Sequence, residues 1–168
     1  EMRPQFFRNI GEGRFVELRA EDVGDCFARE SLGRGMAKGD WNHDGREDLF
    51  ASHIGSPATL FENRSPRDPS AAPGWVSVEL VGTKGTREPI AAVVELIAGG
   101  MRSAKVLSAG DGYLSSNARR LTFGLGPARS IERVTVRWPG GAVTDFEGIE
   151  PGARWLVVEG RERPVRLP

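Results

Sequence analysis

The chain has 168 residues, enough for one large domain or two small ones. Lys plus Arg and Asp plus Glu stand at 23 each, so the formal net charge is zero, which argues against an electrostatic nucleic-acid or membrane surface. Hydrophobic residues make up 39%, with 22 glycines and 11 prolines, so short strands and many turns are expected.

No apolar run approaches the ~18 residues of a membrane span, and no membrane insertion is expected. The chain opens Glu1-Met2-Arg3-Pro4, with neither an initiator Met nor the apolar core of a signal peptide, so a fragment of a larger protein is expected. Cys26 is the only cysteine. It excludes an internal disulfide and reads as a small buried hydrophobe rather than a nucleophile.

Phe6 to Phe15 reads as a strand, a turn bearing Gly11 and Gly13, and the start of a second strand. Part of this pattern recurs in Leu60-Phe61-Glu62-Asn63: Phe7 to Phe61 and Asn9 to Asn63 are both 54 residues apart. Phe-x-Asn at two strand ends suggests an internal repeat. Between them, Glu21 to Leu32 is mixed in character and suits a helical turn or a loop.

The most informative stretch is Asp40-Trp41-Asn42-His43-Asp44-Gly45-Arg46-Glu47-Asp48. Asp40, Asn42, Asp44 and Asp48 put oxygen-bearing side chains at its first, third, fifth and ninth positions. Ca²⁺ takes about six to eight oxygens, and a short loop supplies them when alternate side chains turn inward. Gly45 at the sixth position permits the bend. Arg46 at the seventh would offer its backbone carbonyl, so its side-chain charge is expected to be immaterial. His43, between ligand positions, is expected to face solvent, because imidazole prefers a softer ion. A solvated Asp/Asn/Gly turn is the competing reading. The number and spacing of the oxygens favour the metal.

An EF-hand would need a bidentate Glu at the twelfth position, which is Ala51, and helices on both sides. Gly33, Gly35 and Gly39 disfavour the upstream helix, and Leu49 to His53 reads as a strand. The loop is therefore expected to join two strands.

Phe-x-Asn, then Gly35-x-x-x-Gly39-Asp40-x-Asn42-x-Asp44-Gly45-x-x-Asp48-Leu49, then Leu60-Phe61-x-Asn63 resembles an FG-GAP/VCBS repeat. The resemblance covers about the first 65 residues. It implies a four-stranded β-propeller blade with Ca²⁺ held in the loop between strands.

Arg64 to Gly74 carries Pro66, Pro69 and Pro73 among polar and small residues, an extended linker. Beyond it Trp75 to Val81 alternates, with Val76, Val78 and Leu80 on one face. Ala91 to Ala98 and Met101 to Leu107 flank Gly99-Gly100, a hairpin signal. Further strands are predicted at Arg120–Gly126, Arg133–Trp138 (Val134, Val136 and Trp138 inward), Ala142–Phe146 and Arg154–Glu159. Such a series predicts a sandwich or barrel.

The motifs Leu80-Val81-Gly82-Thr83-Lys84, Ser108-Ala109-Gly110-Asp111-Gly112-Tyr113-Leu114-Ser115, Phe123-Gly124-Leu125-Gly126 and Val136-Arg137-Trp138-Pro139-Gly140-Gly141 resemble the ASPIC/UnbV domain. That domain follows FG-GAP/VCBS repeats in proteins similar to cartilage acidic protein. The expected organisation is all-β. A propeller-type repeat with its calcium loop (1–66), a linker (67–74), a β-sandwich-like domain (75–160) and a tail (161–168) follow one another.

A Ser–His–acid catalyst finds no Gly-x-Ser-x-Gly elbow, and of the two histidines only His53, beside Ser52, lies outside the metal loop. Asp111 and Asp145 cannot be paired for glycoside hydrolysis by spacing alone. Gly82 to Thr86 lacks phosphate-loop spacing and reads as a β-turn. The expected function is therefore a calcium-binding extracellular or periplasmic module for binding or assembly, without catalysis. The alternative is an accessory or carbohydrate-active module of a larger enzyme. A protein or glycan ligand is expected at the surface, with Asp111 and Tyr113 as candidate contacts. Against that, Tyr113 folding inward to cap a backbone group is the favoured reading. Phe6, Phe7, Phe15, Phe50 and Phe61 are expected to pack on the second domain or on another chain, because a repeat of this kind cannot bury its own faces.

Overall fold

The computed structural model describes residues 2–66 and 74–168, so the expected linker lies, except for Gly74, outside the described residues. The chain is predominantly β. Its first part holds a hairpin, β1 (Phe6–Gly11) with β2 (Arg14–Leu18), then a helical turn α1 (Ala20–Val23) and a 3₁₀ turn at Asp25–Ala28. A three-stranded antiparallel sheet follows, β3 (Gly33–Gly39), β4 (Asp48–His53) and β5 (Thr59–Phe61), in that order. Among the described residues the first part thus holds a three-stranded sheet and a separate hairpin, where the resemblance implies a four-stranded blade.

The Phe-x-Asn recurrence has a shared local geometry. The Asn9 side chain accepts the Gly11 N–H at 2.8 Å, and Asn63 accepts the Ser65 N–H at 3.1 Å, an Asx-type turn in both cases. Asn63 also knits its strand end to the preceding loop, its amide donating to the Glu47 carbonyl at 3.2 Å.

The second part holds β6 (Trp75–Val81), β7 (Val93–Ala98), β8 (Met101–Val106), β9 (Leu121–Gly124), β10 (Arg133–Arg137), β11 (Val143–Phe146), β12 (Arg154–Val158) and β13 (Val165–Leu167). They form two four-stranded sheets, β11-β10-β7-β8 and β13-β12-β6-β9, and neither closes into a barrel. The β7–β8 hairpin turns through Gly99 and Gly100, both at positive φ, as their pairing in the sequence predicts. Segment 161–168, set apart as a tail by sequence, instead supplies edge strand β13, paired antiparallel to β12. Its three residues follow a polar turn and are too few to show periodicity.

The hydrophobic core lies between these two sheets. Val76, Val78 and Leu80 from β6 meet Val94 and Leu96 from β7, with Val134, Val136, Phe123, Phe146 and Val157 around them. Trp138 is also in this cluster, on the inward side with Val134 and Val136. Alternation places every second residue of β6 in the core, yet Trp75 and Ser77 between them are buried too. Something covers the outer face of this sheet.

Candidate functional site

What covers it is the loop between β3 and β4. Register pairs Ser77 with both Thr122 and Arg154, so these three share the outer face, and Trp75, Glu79 and Arg120 join them by alternation. Gly45 packs onto the Trp75 indole so closely that a Cβ there would lie 2.0 Å from Cε2. Its φ of +81° is also one that L side chains rarely adopt, so the position requires glycine twice over.

Charged groups complete the seam. The Arg120 guanidinium lies 3.9 Å from the Asp40 carboxylate and donates to the Asp40 carbonyl at 3.4 Å. Arg120 Nε is 3.2 Å from Glu79 Oε1, near enough for an ion pair but misaligned for a hydrogen bond. Arg154 donates to the same Glu79 oxygen at 3.1 Å and to His43 Nδ1 at 2.8 Å. His43 is exposed, as expected, and is also held by this bond. On the other flank, Lys38 N–H donates to the Asn117 side chain at 2.9 Å and the Ala118 N–H donates to the Lys38 carbonyl at 3.0 Å. A cavity of about 10 Å³ between Lys38, Asp40, Glu47 and Arg120 has room for a single water at most.

Within the loop, the predicted ligands bind their own backbone. Asp40, its side chain 1% exposed, accepts the Asp44 N–H at 3.0 Å and the Gly45 N–H at 2.9 Å. Asp48, also buried, accepts the Trp41 N–H at 3.0 Å and the Asn63 N–H at 2.8 Å. Asn42 Oδ1 shares the Asp44 N–H at 3.2 Å, which brings it beside Asp40 Oδ1.

Asp44 behaves differently. Its carboxylate accepts the Arg46 N–H at 2.9 Å, the Asn42 amide at 3.1 Å and the Arg46 guanidinium in a short ion pair. Partial burial pushes the Asp44 carboxyl up, but the hydrogen bonds from Arg46 and Asn42 and the Arg46 charge outweigh it and hold the group below its ordinary value. The Arg46 side chain, expected to be immaterial, is therefore a principal partner of a predicted ligand.

The fit to a cation divides. The donor atoms are all oxygens, the class a hard cation takes, and the loop joins two strands around a glycine bend. Their placement differs: among the described residues, no three acidic, His or Cys side chains gather into a metal-holding group. Asp44 is turned onto Arg46 instead.

Other candidates separate clearly. Ser52 and His53 are neighbours on β4, so they point to opposite faces. Ser52 is engaged with the Gly35 backbone and His53 Nε2 with Thr59 Oγ1 at 3.0 Å, and no Ser–His pair forms. A cleft of about 840 Å³ lies away from the loop, lined by Arg3, Glu17, Arg19, Glu21 and Phe27 among others, without a His, Ser or Cys. Tyr113 does not fold inward: it is 61% exposed, with the Arg34 guanidinium 5.4 Å from its ring centroid. Leu114 beside it is more exposed still and sits at a φ of +50°. Asp111, on the same loop, accepts a short hydrogen bond from Ser108.

Sequence reasoning missed Trp75, Glu79, Arg120 and Arg154 as partners of the loop. A signal was present: β6 alternates, yet its outer face carries a tryptophan and a lone glutamate, which suits a covered surface better than an open one.

Residues 82–164 match the family model for ASPIC and UnbV, and the chain carries an ASPIC/UnbV domain there. No FG-GAP/VCBS repeat is detected by a family model. No curated protein matches the chain.

Proposed function

We propose that this chain is a calcium-dependent, non-catalytic module for binding or assembly, in which an FG-GAP/VCBS-like repeat is locked onto the ASPIC/UnbV domain through its Asp40–Asp48 loop. The supporting observation is the position of that loop. It is pressed against Trp75 at Gly45 and tied to Arg120 through Asp40. A cation bound there by Asp40, Asn42, Asp44, Asp48 and the Arg46 carbonyl would stiffen the junction as well as the loop.

An extracellular or periplasmic setting belongs to this reading, since modules of this class bind Ca²⁺ at ~10⁻⁴–10⁻³ M. The loop around Asp111 and Tyr113 is the surface on which a protein or glycan ligand would rest. The reading is tested by melting the chain with saturating Ca²⁺ and with chelator. A ligand bound only to the folded state raises the melting temperature, by about 2.7 kcal/mol of stability at a hundredfold excess over Kd. Asp44→Ala is expected to remove that rise. Superimposable melting curves with and without chelator would refute the assignment.

A further inference from the structure

We propose that the chain assembles with copies of itself, the Tyr113-Leu114 tip of one copy seating in the cleft beside Leu18 and Phe27 of the next. The proposal rests on the assembly part of the reading above, whose partner it names as a second copy of this chain, and it needs no bound cation.

The tip is a fixed projection. Gly112 and Ser115 pair as an antiparallel bridge, so Tyr113 and Leu114 stand at the end of a two-residue turn. At the base of the loop Arg119 donates to the Ser108 and Ala109 carbonyls at 2.6 and 2.7 Å, and the Ser116 hydroxyl donates to the Ala109 carbonyl at 2.8 Å. The turn also rests on β3, where a Cβ at Gly35 would lie 3.0 Å from the Tyr113 carbonyl oxygen. Leu114 is 84% exposed at a φ of +50°. Left-handed backbone in a tight turn suits Gly or Asn and disfavours leucine. Within its own chain the Leu114 side chain buries almost nothing in return. An apolar group held outward at a conformational cost, on a support already ordered, is accounted for by a surface that receives it. Tyr113, exposed beneath the Arg34 guanidinium, adds two residue types that commonly anchor interfaces.

The cleft has the complementary character. Its volume of about 840 Å³ falls in the range of sites that enclose a compact ligand. Leu18 and Phe27 give it an apolar wall, and the Phe27 ring is held between Phe6 and Phe61. Its charged lining sets Glu17, Glu21, Asp25 and Glu30 against Arg3 and Arg19, an acidic excess for a tip that carries a guanidinium. Tip and cleft are different surfaces, so the contact is heterologous. Each copy offers both, and the assembly grows past a dimer as a ring or an open array.

The test is sedimentation velocity of the full chain with chelator, from micromolar to near-millimolar concentration. Leu114→Asn suits the left-handed backbone and makes the tip polar. Ala28→Arg places a cation in the exposed lining of the cleft, where it opposes Arg34. The parent is expected to associate as concentration rises. Each variant should associate at least about tenfold more weakly, the order of free energy carried by burying one leucine. Their equimolar mixture should form one-to-one dimers and nothing larger, because Leu114→Asn retains the cleft and Ala28→Arg retains the tip. Leu114→Asn should also melt no lower than the parent; a lower value would overturn the proposal by giving Leu114 a role in its own fold. A parent that is monomeric at every concentration would overturn it as well, while the calcium reading is judged separately by its melting curves. Unchanged association in either variant, or a mixture without dimers, would overturn it by showing that tip and cleft do not meet. Should Ala28→Arg misfold, Glu30→Lys at another exposed position of the cleft takes its place, with the same expected outcomes.

Discussion

Glu159 shows how a single carboxylate can close a domain. It follows β12 directly, and its side chain accepts the Thr83 and Lys84 N–H groups at 2.9 and 3.0 Å, while the Thr83 hydroxyl donates to its carbonyl at 3.0 Å. The two backbone N–H donors hold the Glu159 carboxyl below its ordinary range, with Lys84 assisting against the opposing effect of burial. A carboxyl whose folded value is depressed stabilises the fold above its unfolded value, about 4.3, and loses that contribution as pH falls through the folded value. Glu159→Gln is therefore expected to melt below the parent at pH 7. The gap should narrow as pH falls below about 4. Parallel thermal melts between pH 7 and pH 3 measure both. A gap that persists unchanged at pH 3 would show that the charge is not the cause.

At the scale of elements, the outer face of the β13-β12-β6-β9 sheet is the informative surface. Glu79 alone stands between Arg120 and Arg154, with side-chain exposures of 29%, 14% and 15%. Removing its charge leaves two shielded guanidinium groups facing each other. Glu79→Gln is expected to cost about 2 kcal/mol, discounted from the figure for a fully buried pair because Glu79 is part-exposed. For a chain of this size that lowers the melting temperature by roughly 4–8 °C, readable by calorimetry.

Most strands of the second part were legible because one face is buried and alternation marks it: Val76/Val78/Leu80 and Val134/Val136/Trp138 did so plainly. The loop between β3 and β4 was legible through its glycine and its oxygens. Strand β13 was not, for it is short and mostly exposed. Nor was the seam, because Glu79, Arg120 and Arg154 lie far apart in sequence, and nothing local tells a solvated arginine from one that bridges two elements.

For the molecule as a whole, the two parts are unequal. Every member of the buried hydrophobic cluster comes from Val76 onward. In the first part, Phe6, Phe7, Phe15 and Phe50 remain 40–62% exposed. Phe61 finds a partner in Phe27, at 5.6 Å between ring centroids, and Phe27 in turn meets Phe6 at 5.9 Å. Those few contacts do not make a core. Residues 74–168 alone are expected to give a dispersed NMR spectrum, whereas residues 1–66 alone are expected to be unfolded or aggregated. A dispersed spectrum from the first segment would show that hairpin and sheet are self-sufficient.

The parallel pairing of β6 with β12 has a consequence in time. Trp155 lies opposite Val78, so most of the ASPIC/UnbV domain must be made before this central strand gains its neighbour. At roughly 5–20 residues per second of synthesis, β6 waits on the order of ten seconds for β12. Antiparallel β9 reaches it earlier, but one edge of the strand stays open meanwhile, a template for pairing with a neighbouring nascent chain. Non-local pairing of this kind also slows refolding in the test tube. Slower production at lower temperature and refolding from dilute solution are the conditions under which this edge finds its own partner first.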